Sequence, residues 1–374
     1  MRHLLVTNDF PPKLGGIQSY LWELWRRLPS EEIAVLTTPY AGASDWDRRQ
    51  PFDVERTRER VLLPTPSLAR RIDAFADRFE AGMVLLDPAL PLGLLGPHLG
   101  HRYGVVLHGA EVTVPGRLPG SRAALRRVLR DAALVVSAGG YALAEAERAA
   151  GRALPAVNVP PGVDIDRFRP LTDAERKDTR QRFGVRVDVE LVLGLSRLVP
   201  RKGFDVLIKA AALLSDELPD LTVAIGGSGR DRRRLERVAR DSAAPIRFLG
   251  RVPDDALPQL YGCADVFAMA CRNRWFGLEQ EGFGIVFLEA AAAGVPQLAG
   301  ASGGSAEAVV DGETGFVVRD PHDPTEVAVA LRALFADPAR RREMGAAARR
   351  RAEIEFSYDV LAQRLRTAIE GVRR

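Results

Sequence analysis

Short apolar runs alternate with amphipathic helical stretches along the whole chain. Several runs, such as Leu134–Ser137 and Leu191–Leu195, place apolar and β-branched residues at successive positions. This pattern is typical of strands that are buried on both faces of a parallel sheet. The alternation occurs once before the proline-rich segment Pro160–Pro170 and once after it. Because such a segment continues neither helix nor sheet, the 374 residues predict an α/β protein of two Rossmann-like, doubly wound domains.

The apolar runs also give the predicted element positions. In the first half, strands are predicted at His3–Thr7, Ile33–Thr37, Met83–Leu86, Val105–His108 and Leu134–Ser137. In the second half, they are predicted at Leu191–Leu195, Leu221–Ile225, Ile246–Leu249, Val266–Ala270, Gln297–Ala299 and Gly315–Val318. Predicted helices include Asp173–Phe183, Phe204–Leu214, Asp231–Asp241 and Val286–Ala293. We expect a first domain at residues 1–165, a second at 166–355, and a C-terminal helix at 356–374.

The composition predicts a soluble, cytoplasmic protein with reduced thiols. Hydrophobic residues make up 46% of the chain and charged residues 27%, as in globular proteins. Cys263 and Cys271 lack the spacing of a metal site or a disulfide framework. The N-terminal apolar stretch is too short for a signal peptide. The most apolar long window, Gly82–Gly100, is interrupted by prolines, whereas a membrane span needs roughly 20 apolar residues.

Two cations follow the predicted strand Leu191–Leu195 and form the first chemical signal. Arg197 and Lys202 lie in a segment that ends at a glycine. A departing diphosphate accumulates negative charge, which cations already in position stabilise without reorganisation. The same residues also fit a solvated charged loop, in which the neighbouring Arg201 simply faces solvent.

Two carboxylates some eighty residues later form the second signal. Gly282 and Gly284 precede an alanine-rich helix, and backbone N–H groups around Gly284 and Ile285 can bind phosphate at its start. Glu289 lies inside this helix among apolar neighbours, where a carboxylate costs free energy unless it has a partner such as a ribose. Glu281, in the preceding loop, can hold hydroxyls of a sugar. Together with the two cations, these groups describe a nucleotide-sugar site.

The first half carries two weaker signals. Gly15 and Gly16 follow the first predicted strand, and they would let the backbone approach a phosphate at the start of the next helix. A plain strand-to-helix turn would look the same. His108 ends another predicted strand, and the carboxyl end of a parallel strand is the usual place for a ligand. A lone histidine is also often structural.

These residues together resemble the retaining glycosyltransferases of family 4, and the match extends over essentially the whole chain. Within that family, the chain is similar to the actinobacterial mannosyltransferases that use GDP-mannose to modify phosphatidylinositol mannosides. The residues that carry the closer likeness are Asn8–Pro12, Gly15–Tyr20, Leu198–Gly203 and Cys271–Arg274. The family likeness also rests on Pro161–Asp164, Arg167–Phe168, Gly227–Gly229 and the pair Glu281 and Glu289. Trp275–Gln280 differs from the small glycine-rich loop that the family has there.

The resemblance implies the GT-B fold, with two Rossmann-like domains facing across a cleft and a C-terminal helix that packs back on the first domain. It implies that the leaving diphosphate contacts Gly16, Arg197 and Lys202. It also implies that His108 faces the donor sugar, that Glu281 orients the hexose and that Glu289 orients the ribose. The base would lie near Arg251 and Val252. The implied donor-binding residues are Gly15, Gly16, Gly229, Arg251, Val252, Gly282, Phe283, Gly284, Ile285 and Glu289.

The reaction that the resemblance implies keeps the anomeric configuration and needs neither a metal ion nor a protein nucleophile. The acceptor hydroxyl would attack from the face that the diphosphate leaves, and a phosphate oxygen would take its proton. The implied partners are a nucleotide sugar and a glycolipid or small-molecule acceptor. GDP-mannose is the donor that the closer likeness favours.

A basic segment suggests where the chain would meet a lipid surface. Val112–Arg130 contains five arginines and no acidic residue, and on a helix Arg122, Arg126 and Arg130 form one stripe. Such a helix in the segment Arg117–Arg130 can dock on anionic lipid at the inner face of the cell membrane, although a solvated helix would show the same stripe. Nucleic-acid binding is not expected, because the net charge is only +4 and no aromatic residues interleave with the basic ones.

Other functions on the same fold stay open at this point. A family 4 transferase could use a UDP-sugar and a soluble acceptor. A sugar phosphorylase would turn over a glycoside with inorganic phosphate, and an epimerase would consume nucleotide sugar without an acceptor. A catalytically idle nucleotide-sugar binding protein is disfavoured, because every residue expected for transfer is present.

Overall fold

The computed structural model describes residues 1–275, 279 and 281–372, and the chain forms two compact units. Unit 1 contains Met1–Pro161 and the final helix, which begins at Tyr358, whereas unit 2 contains Gly162–Ser357. The domain boundaries predicted from the sequence, after residues 165 and 355, remain a prediction. Most of the divergent loop Trp275–Gln280 (residues 276–278 and 280) lies outside the described residues, as do residues 373–374 of the predicted C-terminal helix.

Unit 1 alternates strands and helices. Its strands are β1 (His3–Thr7), β2 (Ile33–Thr37), β3 (Asp53–Arg56), β4 (Met83–Asp87), β5 (Tyr103–Leu107), β6 (Leu134–Ser137) and β7 (Ala156–Asn158). The helices between them are α1 (Gly16–Trp25), α2 (Ala43–Asp47), α3 (Pro66–Phe79), α4 (Ala110–Arg117), α5 (Pro119–Asp131) and α6 (Gly140–Ala150). A 3₁₀ helix spans Leu92–His98 between β4 and β5.

All strand pairs of the described unit 1 sheet are parallel, in the order β3-β2-β1-β4-β5-β6-β7. Every residue of β1, β2, β4, β5 and β6 is buried, because helices cover both faces. The strand order reverses between β1 and β4. In open α/β sheets, ligands bind beyond the carboxyl ends of the strands at such a switch point.

Unit 2 repeats the alternation. Its strands are β8 (Glu190–Leu195), β9 (Leu221–Gly226), β10 (Ile246–Gly250), β11 (Val266–Met269), β12 (Gln297–Gly300) and β13 (Gly315–Val318). Its helices are α7 (Asp173–Arg182), α8 (Phe204–Leu213), α9 (Arg232–Asp241), α10 (Leu257–Gly262), α11 (Ile285–Ala292), α12 (Ser305–Ala308), α13 (Pro324–Ala336) and α14 (Pro338–Arg351). The described sheet is again parallel, in the order β10-β9-β8-β11-β12-β13, with its switch point between β8 and β11.

The last helix, α15 (Tyr358–Gly371), belongs to unit 1. It packs beside α1, and its buried residues Leu361 and Leu365 share a core with Leu24 and Trp25 of that helix. None of the helices in the described part of the chain combines the length and the apolar character that crossing a lipid bilayer requires.

The prediction of two doubly wound parallel sheets is confirmed, and each predicted strand appears within a residue or two of its expected bounds. The sequence did not reveal β3 and β7, the two edge strands of unit 1. Both are partly exposed and short. A strand that is not buried on both faces needs no continuous apolar run, so the pattern that identified the others is missing.

Candidate active site

A buried ion pair joins the two sequence motifs of unit 2. The Lys202 Nζ donates to Glu281 Oε2 at 2.6 Å, and the side chains are only 7% and 8% exposed. A charge is tolerated at such a buried position only when it is paired. Residues that lie 79 positions apart in sequence therefore meet at one place.

Loops at the carboxyl ends of neighbouring strands hold this pair in place. Lys202 ends a short 3₁₀ helix that follows β8. The backbone N–H of Glu281 donates to the Ser302 hydroxyl at 3.2 Å, which in turn donates to Asn273 Oδ1 at 2.8 Å. Ser302 follows β12 and Asn273 follows β11. The pair thus lies beside the switch point of the unit 2 sheet.

Arg201 is directed toward the pair and not toward solvent. Its Nε lies 3.9 Å from Glu281 Oε2, and its Nη1 lies 3.6 Å from Glu279 Oε1. The Nε is buried and has no hydrogen-bond partner among the described residues. The interpretation of a fully solvated loop is therefore wrong for Arg201 and Lys202.

A buried thiol completes the surroundings of Glu281. The Cys271 Sγ lies 3.7 Å from Glu281 Oε2. Burial, reinforced by the negative charge of Glu281, raises the pKa of this thiol well above its ordinary value. Cys271 is therefore a neutral neighbour of the carboxylate and not a nucleophile.

Arg197 differs from Lys202 in being exposed, and its guanidinium makes no ion pair or hydrogen bond with any residue that the structure describes. The loop that carries it is fixed by the next strand end. The Leu198 N–H donates to the Ser228 carbonyl at 2.9 Å. A Cβ on Gly229 would lie 2.2 Å from the Leu198 carbonyl oxygen, so this approach requires a glycine. Arg197 therefore carries a positive charge that no described residue pairs with, on a backbone that is held in place.

Helix α11 presents an uncapped N-terminus directly after Glu281. Gly284 precedes Ile285 with a φ of 83°, and no described side chain caps the helix. Phe283 is buried against Phe356, with 5.7 Å between the ring centroids, whereas Gly282 is exposed and has open space around it. Free N–H groups and the helix dipole at such an end favour an anion.

Glu289 has a partner that the sequence did not reveal. The Tyr261 hydroxyl donates to Glu289 Oε2 at 2.6 Å, across 28 positions of sequence. Burial raises the pKa of Glu289 above its ordinary value, although the hydroxyl of Tyr261 and the charge of Arg167 oppose that effect. A half-buried carboxylate with one oxygen unused is suited to accept hydroxyl donors.

The predicted base-binding residues follow β10. Arg251 is exposed, and Val252 is half-buried. Val252 packs at the end of β9, where its Cγ2 would lie 3.2 Å from a Cβ on Gly226. Both residues therefore stand at the carboxyl edge of the same sheet as the ion pair.

In unit 1, a hydrogen-bonded chain crosses the carboxyl ends of three neighbouring strands. The Thr7 hydroxyl donates to Asp87 Oδ2 at 2.6 Å, and the His108 Nε2 contacts Asp87 Oδ1 at 2.5 Å. Thr7 ends β1, Asp87 ends β4 and His108 follows β5. His108 therefore lies beside the switch point, and the fully buried Asp87 fixes its Nε2 as a donor.

The surroundings of His108 favour its protonated form. Burial disfavours the imidazolium, but Asp87, with help from Glu111 and Asp9, outweighs that effect and raises the pKa of His108 above its ordinary value. Glu111 also accepts the backbone N–H of His108 at 2.5 Å and that of Gly109 at 3.1 Å. The turn that carries His108 is therefore fixed by hydrogen bonds.

Gly15 and Gly16 stand at the start of α1, whose N-terminus has no side-chain cap in the described structure. A Cβ on Gly15 would lie 2.2 Å from Gln18 Oε1, whereas Gly16 has open space around it. The Asp9 carboxylate accepts from Lys13 at 2.7 Å and from Gln18 at 2.5 Å. These two donors satisfy the nearby acid, so the helix end stays open to an anion.

The structure thus brings the predicted residues together within each unit. Unit 2 gathers Lys202 and Glu281, and unit 1 places His108 on the same sheet edge as the glycine pair. The sequence reasoning missed Asp87, Tyr261 and Arg201. Asp87 had a usable signal, because a lone acid ends an otherwise apolar strand. The described residues contain no group of three or more His, Cys, Asp or Glu side chains that could hold a metal ion.

The chain is similar to known glycosyl transferases. The family model described as "Glycosyl transferases group 1" matches residues 175–351. The chain is 41% identical over 381 residues to a "GDP-mannose-dependent alpha-(1-6)-phosphatidylinositol monomannoside mannosyltransferase" of Mycolicibacterium smegmatis. The alignment covers 99% of this chain and 98% of that protein. It is 37% identical over 377 residues to a "GDP-mannose-dependent monoacylated alpha-(1-6)-phosphatidylinositol monomannoside mannosyltransferase" of Corynebacterium glutamicum, with the same coverage of 99% and 98%.

A solved structure shows the same fold. The crystal structure of HepE from Anabaena in complex with UDP superposes with a TM-score of 0.81. It is 22% identical in sequence and covers 99% of this chain and 100% of that chain. The GT-B fold implied by the sequence is therefore confirmed.

Proposed function

The chain belongs to the group 1 glycosyl transferases, and on that premise we propose that it moves mannose from GDP-mannose to a hydroxyl of a phosphatidylinositol mannoside with retention of configuration. One observation carries the choice of donor and acceptor. Two relatives whose names specify GDP-mannose and phosphatidylinositol monomannoside are 41% and 37% identical to the chain over 99% of its length.

The groups of unit 2 are assigned to the donor. Arg197, exposed and without a described partner, would meet the diphosphate first. Lys202 would share its ammonium between Glu281 and a phosphate oxygen, since it has three N–H donors and the carboxylate takes one at 2.6 Å. The open start of α11 would bind the diphosphate, and Glu289 would accept a hydroxyl of the ribose. Gly229, Arg251 and Val252 would complete the donor-binding set near the base.

The chemical step follows from this charge distribution. The bond between the anomeric carbon and the diphosphate oxygen breaks, and the acceptor oxygen bonds to that carbon on the same face. The acceptor proton passes to the leaving phosphate oxygen. Arg197 and Lys202 stabilise the charge that develops on the diphosphate, and this is why no protein nucleophile and no metal ion is invoked.

His108 and the glycine pair are assigned to the sugar end of the donor. In its protonated form, which Asp87 favours, the imidazole would donate from Nδ1 to a sugar hydroxyl next to the anomeric carbon. Gly16 and the open start of α1 would contact the diphosphate. Glu281 would accept a hydroxyl of the mannose while it remains paired with Lys202.

The acceptor assignment is supported by the surface of unit 1. The predicted basic helix forms two helices, α4 and α5, which are separated at Leu118. The apolar stripe Leu125, Val128 and Leu129 is buried in unit 1. The opposite side forms a groove of about 800 Å³ whose arginines are Arg117, Arg122, Arg126, Arg127 and Arg130. We assign this groove to anionic headgroups at the inner face of the cell membrane, with the protein itself cytoplasmic and peripheral.

A vesicle experiment tests the membrane assignment. Sedimentation with anionic vesicles should lose most of the bound protein when Arg126→Glu and Arg130→Glu are combined. Each basic residue near such a surface contributes about 1 kcal/mol. The matched control is Arg340→Glu with Arg342→Glu, an equal charge change on the exposed side of α14. Equal loss in both double variants would show that net charge alone matters and would reject the assignment to α5.

Calorimetric titration with GDP, UDP, GDP-mannose and UDP-glucose tests the donor. Binding of the guanosine compounds alone is the expected result. Selective binding of the uridine compounds would reject GDP-mannose and favour a transferase that uses a UDP-sugar. Transfer of radiolabelled mannose to a phosphatidylinositol mannoside tests the reaction itself. The products with inverted and with retained anomeric configuration are separated.

The variant Glu281→Ala separates binding from transfer. We expect it to abolish transfer while GDP binding largely survives, because Glu281 is assigned to the hexose and not to the nucleotide. Glu281→Gln, which keeps the shape of the side chain, is the second variant, and circular dichroism under assay conditions shows which of the two is folded and can be compared. Unchanged turnover in a folded variant would remove Glu281 from the mechanism.

A further inference from the structure

A second cavity of unit 1, distinct from the arginine groove, lies between α3, α5 and the 3₁₀ helix Leu92–His98. Its volume is about 650 Å³, within the range of roughly 300–1,000 Å³ that is usual for small-molecule pockets. Its polar lining residues are Thr65, Arg70, Asp73, His98 and Arg127, and the other lining residues are apolar. No role assigned above to the donor or to the headgroup groove uses this space.

Much of the wall of the cavity is apolar. Ala69, Leu95 and Val128 are buried, and Leu94 and Ala124 are half-buried beside them. These side chains offer neither hydrogen-bond donors nor acceptors. This part of the wall therefore suits a hydrocarbon segment.

The charged side chains of the lining give the cavity a net positive charge. Arg70 and Arg127 are exposed, and neither makes an ion pair or hydrogen bond with the described residues. Asp73, the acid among the lining residues, is already engaged, because it accepts the Gly100 N–H at 3.0 Å and contacts His101 Nδ1 at 3.0 Å. Two free guanidinium groups beside an apolar cavity are complementary to a ligand with one anionic group and one apolar tail.

The approach to the cavity has the same mixed character. Val61 and Leu63, just ahead of Pro64, are 56% and 57% exposed. Large apolar side chains that are exposed together mark a surface for apolar partners. Arg127 also lines the arginine groove, so the cavity and the arginine groove adjoin at this residue.

This region is tied to the sheet edge that carries the reactive residues of unit 1. The Leu62 N–H donates to Asn8 Oδ1 at 2.7 Å, and the Asn8 amide returns a bond to the Leu62 carbonyl at 3.3 Å. Asn8 directly follows β1, and Pro64 lines the cavity two residues beyond Leu62. The segment that leads into the cavity lining at Pro64 is therefore anchored beside the carboxyl end of β1.

We propose that the cavity binds one acyl chain of the phospholipid acceptor, with the lipid phosphate held by Arg70 and Arg127. The inference deepens the proposed function and rests on it for the identity of the lipid. It predicts that the enzyme distinguishes an acylated acceptor from the same headgroup without its chains, since only the former fills the cavity.

Two alanines of the helices beside the cavity provide a matched test. Ala124 of α5 is half-buried and lines the cavity, whereas Ala74 of α3 is exposed and lines neither the cavity nor the arginine groove. Ala124→Trp should fill the cavity, and Ala74→Trp adds the same side chain outside it. With an acylated phosphatidylinositol mannoside, Ala124→Trp should raise the acceptor KM by roughly tenfold or more, as for other apolar pocket contacts. The deacylated acceptor should show equal KM values for both variants and wild type.

The result that overturns the proposal is an unchanged KM in Ala124→Trp, or an equal loss for acylated and deacylated acceptors. Calorimetry with dihexanoyl phosphatidylinositol provides a readout that does not need transfer. Wild type and Ala74→Trp should bind it, Ala124→Trp should not, and Arg70→Gln combined with Arg127→Gln should bind it more weakly. If this lipid binds as expected but no mannose is transferred, the cavity assignment stands and the proposed function fails. If mannose is transferred but the lipid binds all variants alike, the cavity assignment fails.

Discussion

The buried pair of Lys202 and Glu281 predicts a stability pattern that surface ion pairs do not show. Removing one partner of a buried pair costs about 3–5 kcal/mol, because the other charge is left without compensation. In Glu281→Gln, Lys202 loses the negative charge that lies 2.6 Å from its Nζ. Arg201, whose Nε has no described hydrogen-bond partner, also loses this charge and keeps the Glu279 carboxylate at 3.6 Å. We therefore expect Glu281→Gln to fall in the upper part of that range.

The complementary variant should cost less. In Lys202→Met, Glu281 keeps the Arg201 Nε at 3.9 Å, so its charge is still partly compensated. A loss of about 4 kcal/mol lowers a urea midpoint by about 2 M when the slope is about 2 kcal/mol per M. The double variant should recover most of the loss of Glu281→Gln, because it removes the uncompensated ammonium of Lys202 and leaves Arg201 beside the Glu279 carboxylate at 3.6 Å.

Unfolding in urea is monitored by hydrogen exchange of peptides from unit 2, so that the transition of this unit is measured separately. The control cycle uses Arg332 and Glu217, a pair in the same unit that is 45% and 50% exposed, and it should show no measurable coupling. The reasoning is refuted if the double variant loses the sum of the single losses. It is also refuted if Lys202→Met costs more than Glu281→Gln.

Three further predictions concern titration, the ribose site and metal ions. Because Asp87 raises the pKa of His108, Asp87→Asn should lower it in an NMR titration; an unchanged value would contradict the contact. The protonated His108 stabilises the fold fully below its unfolded pKa near 6.5, and this contribution disappears as the pH rises through the higher folded value. The raised pKa of Glu289 means that ionisation opposes folding as the pH rises, so Glu289→Gln should be at least as stable as wild type in thermal unfolding at pH 8 while calorimetry shows weaker GDP binding. Mannose transfer should persist in EDTA, because cationic side chains are assigned to the diphosphate; recovery of a lost rate by added Mg²⁺ would reject that assignment.

The elements that the sequence predicted well are those in which the pattern is local. A strand buried on both faces must be apolar at each position, so β1, β2 and β6 could be recognised from a few residues. The glycine-flanked start of α11 and the cations after β8 are equally local. Their placement at one sheet edge follows from the parallel topology, in which loops after adjacent strands must meet.

The features that the sequence could not reveal depend on contacts between distant residues. Tyr261 supports Glu289 from another helix, and Asp87 orients His108 from another strand. No spacing rule links either pair, because the distance along the chain is set by the loops between elements. The cavity between α3, α5 and the 3₁₀ helix Leu92–His98 is a gap left between helices that each look ordinary in sequence. Its existence follows from the packing geometry alone.

The position of α15 has a consequence for synthesis on the ribosome. Unit 1 is interrupted between Pro161 and Tyr358, and its core includes Leu361 and Leu365 from the last helix. Domains usually fold in the order in which they emerge, but here the second unit can finish while the first still waits for part of its core. A nascent chain that stalls before Tyr358 would therefore carry one finished unit and an exposed apolar face on α1, and that face is what a chaperone would recognise.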